Sequence, residues 1–207
     1  MKKRKLKKKV VILIILIVVL ILCITGFILY KTLSKNQVAE AKVIDSIEEY
    51  GYVLEDDQPK IYQDLFKELS KVLQAENVDE EEYARLISQM FSIDFYNLEN
   101  KVSKNDVGGT MFISTDYVDN FTLKASDTVY KYIEHNLYND RDQNLPVVTS
   151  SSVNKLENVT YEYKSINDDN AYEVTVNLEY EEDLGYPTEI VLTLIHNDKK
   201  LEICEME

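Results

Sequence analysis

Tryptophan is absent from this chain, and glycine, proline, histidine and cysteine are scarce: five, three, two and two among 207 residues. So few glycines and prolines exclude a collagen-like or linker-like chain. A hydrophobic fraction of 45%, with 15 tyrosines, argues against intrinsic disorder. The two cysteines are Cys23 and Cys204, so beyond residue 30 only one remains and no disulfide can form within that part. A domain of that size can be stable on its apolar core alone. Acidic residues are missing from the first 39 positions, whereas seven of the 23 basic residues (Lys2, Lys3, Arg4, Lys5, Lys7, Lys8 and Lys9) precede Val10. Residues 31–207 therefore hold 16 basic and all 37 acidic residues, a net of −21. A body this acidic argues against nucleic-acid binding, which needs a basic footprint to displace phosphate counterions.

Between the two charge regimes lies Val10 to Tyr30, 21 residues without a charge, of which 17 are Leu, Ile, Val or Phe. As a helix the run is about 31 Å long, the thickness of a bilayer's hydrocarbon core. It is longer than the apolar region of a cleaved signal peptide, and Phe27-Ile28-Leu29-Tyr30-Lys31 offers no small-x-small cleavage site. Leu20-Ile21-Leu22 before Cys23 does not suit a lipoprotein signal. The sequence predicts an uncleaved signal anchor at 10–30 with a basic stub, 1–9, on the cytoplasmic side and the acidic body outside the cell membrane. Each stub cation near anionic headgroups adds about 1 kcal/mol of membrane attraction.

Val43, Ile47 and Tyr50 share a helical stripe, which predicts a stalk helix within 31–50. Tyr52-Val53-Leu54 reads as a short extended piece opening a domain at 51–207. Pro59 starts a helix whose apolar stripe is Ile61, Leu65, Leu69, Val72 and Leu73. Asp79 with Glu82 is a capping box for the next helix, which buries Tyr83, Ile87, Met90, Phe91 and Phe95. Residues 100–110 read as a loop containing the chain's one glycine pair, Gly108-Gly109, and 111–117 fits a strand or a helical turn equally. Phe121, Ala125, Val129, Tyr132 and Ile133 predict a third helix ending near Asn136.

From there the apolar period changes from 3.6 to 2. Strands are expected at 147–155, 159–163, 174–180, 190–195 and from Leu201 onward, with turns at 167–170, 183–187 and 197–198. Helices followed by an antiparallel meander define an α+β domain, about three helices on a sheet of four to five strands.

Anchor, stalk, the helix Glu80–Leu98, the break Asn105-Asp106-Val107-Gly108-Gly109, the helix Phe121–Asn136 and the meander from Val147 together resemble the cone-shaped nuclear-transport-factor-2-like fold. Such domains occur on single-span bacterial envelope proteins, including scaffold subunits of type IV secretion and conjugation machines. The resemblance implies a cone-like ectodomain over most of residues 40–207. It leaves function open, since the fold hosts enzymes, ligand binders and interaction modules. Its enzymes place an Asp, His or Tyr inside the cone, and here that implies Asp94, Asp116 or Tyr117.

Signals of chemistry are few. Asp94 sits in an apolar stretch and, if buried, would have a raised pKa; its periodicity favours the helix's polar face instead. His135 and His196 read as structural, and Cys204 as a small core or edge residue. Asp140-Arg141-Asp142-Gln143-Asn144 begins like a calcium loop through Asp140, Asp142 and Asn144. It then offers Leu145 and Ser151 where an EF-hand needs Gly and Glu, so a solvated turn is the preferred reading. No cofactor is expected. The tyrosines read as core, with some compatible with a protein-contact face. The expected function is a non-enzymatic, membrane-anchored interaction or scaffold protein with lipid and protein partners. The alternative is a cone-cavity domain that binds a small ligand or catalyses weakly.

Overall fold

The computed structural model describes residues 16–27, 41–164 and 166–207. The chain divides into two compact units, 1–39 with 137–140, and 40–136 with 141–207. In the first unit α1 covers 16–27, and every side chain of this helix is exposed. Thr25 folds its hydroxyl back onto the Ile21 carbonyl (2.9 Å), which removes a polar group from the helix's apolar surface. Among the described residues no helix is long and apolar enough to cross a membrane. Residues 10–15 and 28–30 of the expected span, and the stub cations, lie outside the described residues.

The second unit is an α+β domain with a four-stranded antiparallel sheet and a separate two-stranded sheet. It opens with a hairpin, β1 Val43–Ile47 paired to β2 Tyr52–Glu55. This corrects the expected stalk helix over 31–50: 43–47 is a strand, while 31–40 lies outside the described residues. The turn depends on Gly51, whose φ of 69° is readily available only to glycine. Tyr50 and Tyr52 then stack (6.3 Å between centroids) and meet Tyr83 edge-on. Lys199 and Lys200 lie over the Tyr50 and Tyr52 rings, tying the hairpin to the far end of the chain.

Helix α2 (Lys60–Leu73) follows Pro59 and buries Tyr62, Phe66, Leu69 and Leu73. The centre of its buried face is thus one residue on from the expected stripe, because the two wide aromatics take the middle and Ile61, Leu65 and Val72 flank them. Helix α3 (Glu80–Tyr96) starts at Asp79, whose Oδ1 accepts from the Glu82 backbone N–H (3.1 Å) as the capping signal predicts. From Tyr83 it is buried almost all round, with α2 on one side and the sheet on the other. Helix α4 (Val118–Asp127) ends earlier than expected, and turns carry the chain on to Ile133. Tyr130 enters the core there while Tyr132 is exposed, so those two do not share a helical face.

The main sheet runs β3-β4-β5-β6: Val148–Tyr163, Ile166–Tyr180, Glu189–Asn197 and Lys200–Met206. The two strands expected at 147–155 and 159–163 are one strand, bent by bulges at 153/155 and 159/161. The turn expected at 167–170 lies within β4. The reversal falls instead next to Lys164, which takes φ 54°. Polar residues on an exposed ribbon have the composition of a turn, and pairing distinguishes the two. The turn at 197–198 is present, with Asp198 at φ 52°. Val174, Val176 and Leu178 face the helices and are buried, whereas Glu173, Thr175 and Asn177 are half-buried on the opposite face.

Candidate functional site

The most unusual chemistry lies at the C-terminal end of α3. Asp94 is 5% exposed, against the polar-face position its periodicity favoured. Its Oδ1 accepts from Lys101 Nζ (2.6 Å) and Gln58 Nε2 (3.1 Å), and its Oδ2 from the Gly109 backbone N–H (2.6 Å). Lys101 is equally buried. Burial alone would raise the Asp94 pKa, but the Lys101 ammonium and the converging N–H donors outweigh it and hold the carboxyl below its ordinary value. The raised pKa expected of a buried catalytic acid is therefore corrected: this carboxylate is held charged and is engaged at both oxygens.

The glycine pair is what lets the loop reach it. A Cβ on Gly108 would sit 2.1 Å from the Asp94 carbonyl oxygen, and one on Gly109 would sit 2.6 Å from Phe91 Cδ2. Gly109 also has φ 75°. Beside it, the Tyr130 hydroxyl donates to the Phe95 carbonyl (2.6 Å) and accepts from Gly108 N–H (3.1 Å). Four segments distant in sequence thus meet at one turn of α3. Glu55 and Asp57 lie near enough to feel the node; burial and neighbouring carboxylates raise Glu55, and burial raises Asp57 against the pull of Lys101.

Asp116 is exposed and Tyr117 half-buried, and neither touches this node. Tyr117 lines a cleft of about 440 Å³ between α4 and β6, with Phe95, Phe121, Val129, Lys124 and Met206 among its walls. Of the three residues implied by the cone resemblance, Tyr117 alone lines this cleft, and Asp94 is held in the node.

At 140–144 the chain does other work. Arg141 is buried and donates to the carbonyls of Glu99 (2.6 Å) and Lys101 (2.7 Å), while Asn144 donates to Glu182 (2.8 Å). Asp140 and Asp142 are exposed. Among the described residues no group of three or more His, Cys, Asp or Glu is placed to hold a metal ion.

His135 is exposed. His196 is held by Asp168, which accepts from its backbone N–H (2.7 Å) and contacts its Nδ1 (2.8 Å). Pairing between β4 and β5 stops at Tyr172 opposite Leu194, so this carboxylate extends the contact where the ladder ends. The Cys204 thiol is pushed up to about 11, chiefly by burial, and is a poor nucleophile at neutral pH. Seven tyrosines (50, 52, 62, 83, 96, 130 and 172) are core residues; the Tyr52 and Tyr83 hydroxyls meet at 2.6 Å, and Tyr83 also accepts from Leu201 N–H.

Asp94 was visible in the sequence, but its partners were not. Lys101 and Gln58 give no periodic signal, and only the glycine pair marked a close backbone approach. Compared with protein-family models, characterised proteins and solved structures, the chain matches none of them.

Proposed function

We propose that this chain is a non-catalytic interaction or scaffold module of the bacterial envelope, with residues 10–30 anchoring it in the cell membrane and the acidic α+β domain outside. The reading rests chiefly on α1, in which all of residues 16–27 are exposed and apolar side chains point in every direction. A helix of that kind needs an apolar surrounding, and the Lys-rich segment before it sets the orientation. Asp94 adds support from the chemical side, since a buried carboxylate kept charged by Lys101 and two N–H donors has no proton to give at neutral pH. The resemblance of its sequence pattern to the cone-like ectodomains of secretion and conjugation scaffolds extends the proposal to that class of partner.

Carbonate washing and protease treatment of intact protoplasts test it. The protein should stay with the membrane, residues 40–207 should be digested from outside, and the basic stub should be protected. Release by carbonate, or protection of 40–207 in sealed cells, would overturn the reading.

A small-ligand role has one observation in its favour, the cleft beside Tyr117. It calls for binding that Phe121→Ala weakens without unfolding the domain. A ligand that binds the variant as tightly as the wild type removes this alternative.

A further inference from the structure

Among the described residues strand β3 has a neighbour on one side only, which leaves its other edge open. Helix α3 covers the start of that edge: Gln89 donates to the Ser151 carbonyl (2.7 Å), and Val148 N–H donates to Asn97 (3.0 Å). Past Ser151 the strand continues uncovered. Leu178 directs its N–H toward β5, bonding Thr188, and the same alternation directs Val174 toward β5. Leu156, opposite Val174, therefore turns its own N–H and C=O to the open side. Among the described residues nothing bonds to them. An open edge of this kind is a template for another strand.

The sequence along the edge identifies that strand. Ser152 to Thr160 reads SVNKLENVT, which is symmetric about Leu156. Asn154 mirrors Asn158, Val153 mirrors Val159, Ser152 mirrors Thr160, and the cation Lys155 mirrors the anion Glu157. A palindrome with inverted charge is what an antiparallel strand needs to pair with its own copy across a two-fold axis. The charges nearby also lack one partner. Glu157 and Glu173 lie directly opposite each other on β3 and β4, with Lys155 serving both (2.8 and 3.7 Å). Like charges in that position repel.

We infer that β3 pairs with β3 of a second copy of this chain, antiparallel and centred on Leu156. The two Leu156 residues exchange N–H···O bonds. On each side Lys155 stands opposite Glu157 of the other copy, a closely spaced non-hydrogen-bonded position, and supplies the cation that the two carboxylates lack. The bulges at 153/155 and 159/161 confine the regular ladder to Lys155–Val159, so the contact is small and the dimer concentration-dependent. The pairing does not depend on the membrane reading.

Sedimentation of the full-length chain in detergent, with Lys155→Glu and Glu157→Lys variants, decides the matter. Both side chains are about half exposed, so each variant should fold, which circular dichroism checks. The wild type should self-associate, and each single variant should do so at least about tenfold more weakly, because two attractive pairs become two repulsive ones. Mixing the two variants should restore association, since the all-acidic edge then faces the all-basic one. Wild-type-like dimerisation of Lys155→Glu alone, a wild type monomeric at all concentrations, or a mixture no tighter than its components would each overturn the inference.

Discussion

Helices α2 and α3 are similar in length, adjacent in sequence and packed together, yet they hold opposite positions in the fold. In α2 one face is buried, and Lys60, Asp64, Lys67, Glu68 and Lys71 are in solvent. In α3 burial goes round the whole helix, and it takes Ser88, Ser92 and Asp94 with it. A surface helix can leave its charged groups to water, whereas a central helix must provide a buried charge with a partner. The cluster at Asp94 is that provision. The burial of this carboxylate follows from the place of α3 between α2 and the sheet.

The largest effect that sharpens the contrast is on the sheet face behind α3. Val176 is fully buried there, so Val176→Asp should cost about 3–5 kcal/mol, enough to unfold a typical domain. Thr175→Asp, one residue away on the other face and opposite Lys155, should shift stability by under about 1 kcal/mol. Denaturant unfolding distinguishes the two, and equal losses would mean that both faces are covered.

Next comes the glycine loop. Gly108→Ala forces the loop off α3 and should cost about 3 kcal/mol or more. Lys71→Ala on the outer face of α2 should stay within about 0.5 kcal/mol.

Acid should expose the node more gently. The folded Asp94 carboxyl titrates below the unfolded one, whose pKa is about 3.9. Its stabilising contribution is therefore complete above that pH and is lost as pH falls through the folded value. Glu55 and Asp57 are shifted the other way, so their protonation favours the fold and softens the acid limb. Unfolding followed from pH 7 to pH 2 should show this loss, and Asp94→Asn should flatten it.

The smallest effect is the most particular. Ser88 Oγ is buried with no hydrogen-bond partner among the described residues, so Ser88→Ala should be neutral or stabilising by up to about 1 kcal/mol. A clear destabilisation would reveal a partner for that hydroxyl.

How much of this was legible varied with the range of the deciding contacts. The Asp79 cap, the buried aromatics of α3 and the alternation at 174–180 are local patterns, and the sequence carries them openly. The first hairpin was obscured because Val43, Ile47 and Tyr50 fit a helical stripe. Gly51 was the missed turn signal, and stacking of Tyr50 and Tyr52 against Tyr83 and two distant lysines decides the outcome. Helix α4 stops at Asp127 although the apolar spacing continues, because Tyr130 is drawn into the core by Phe95 and Gly108. The burial of Asp94 was hidden for the same reason. Its partners come from residues 58, 101 and 109, and no window along α3 contains them.

If Asp94 is a structural anion paired to Lys101, a double-mutant cycle reads that pairing as a coupling energy. Asp94→Leu and Lys101→Met should each cost about 3–5 kcal/mol by stranding a buried charge. The double variant should be far more stable than the sum of the two losses, giving a coupling of about 2 kcal/mol or more in denaturant unfolding. Additive losses, or an Asp94→Leu variant as stable as the wild type, would contradict the account and leave the carboxylate free for chemistry.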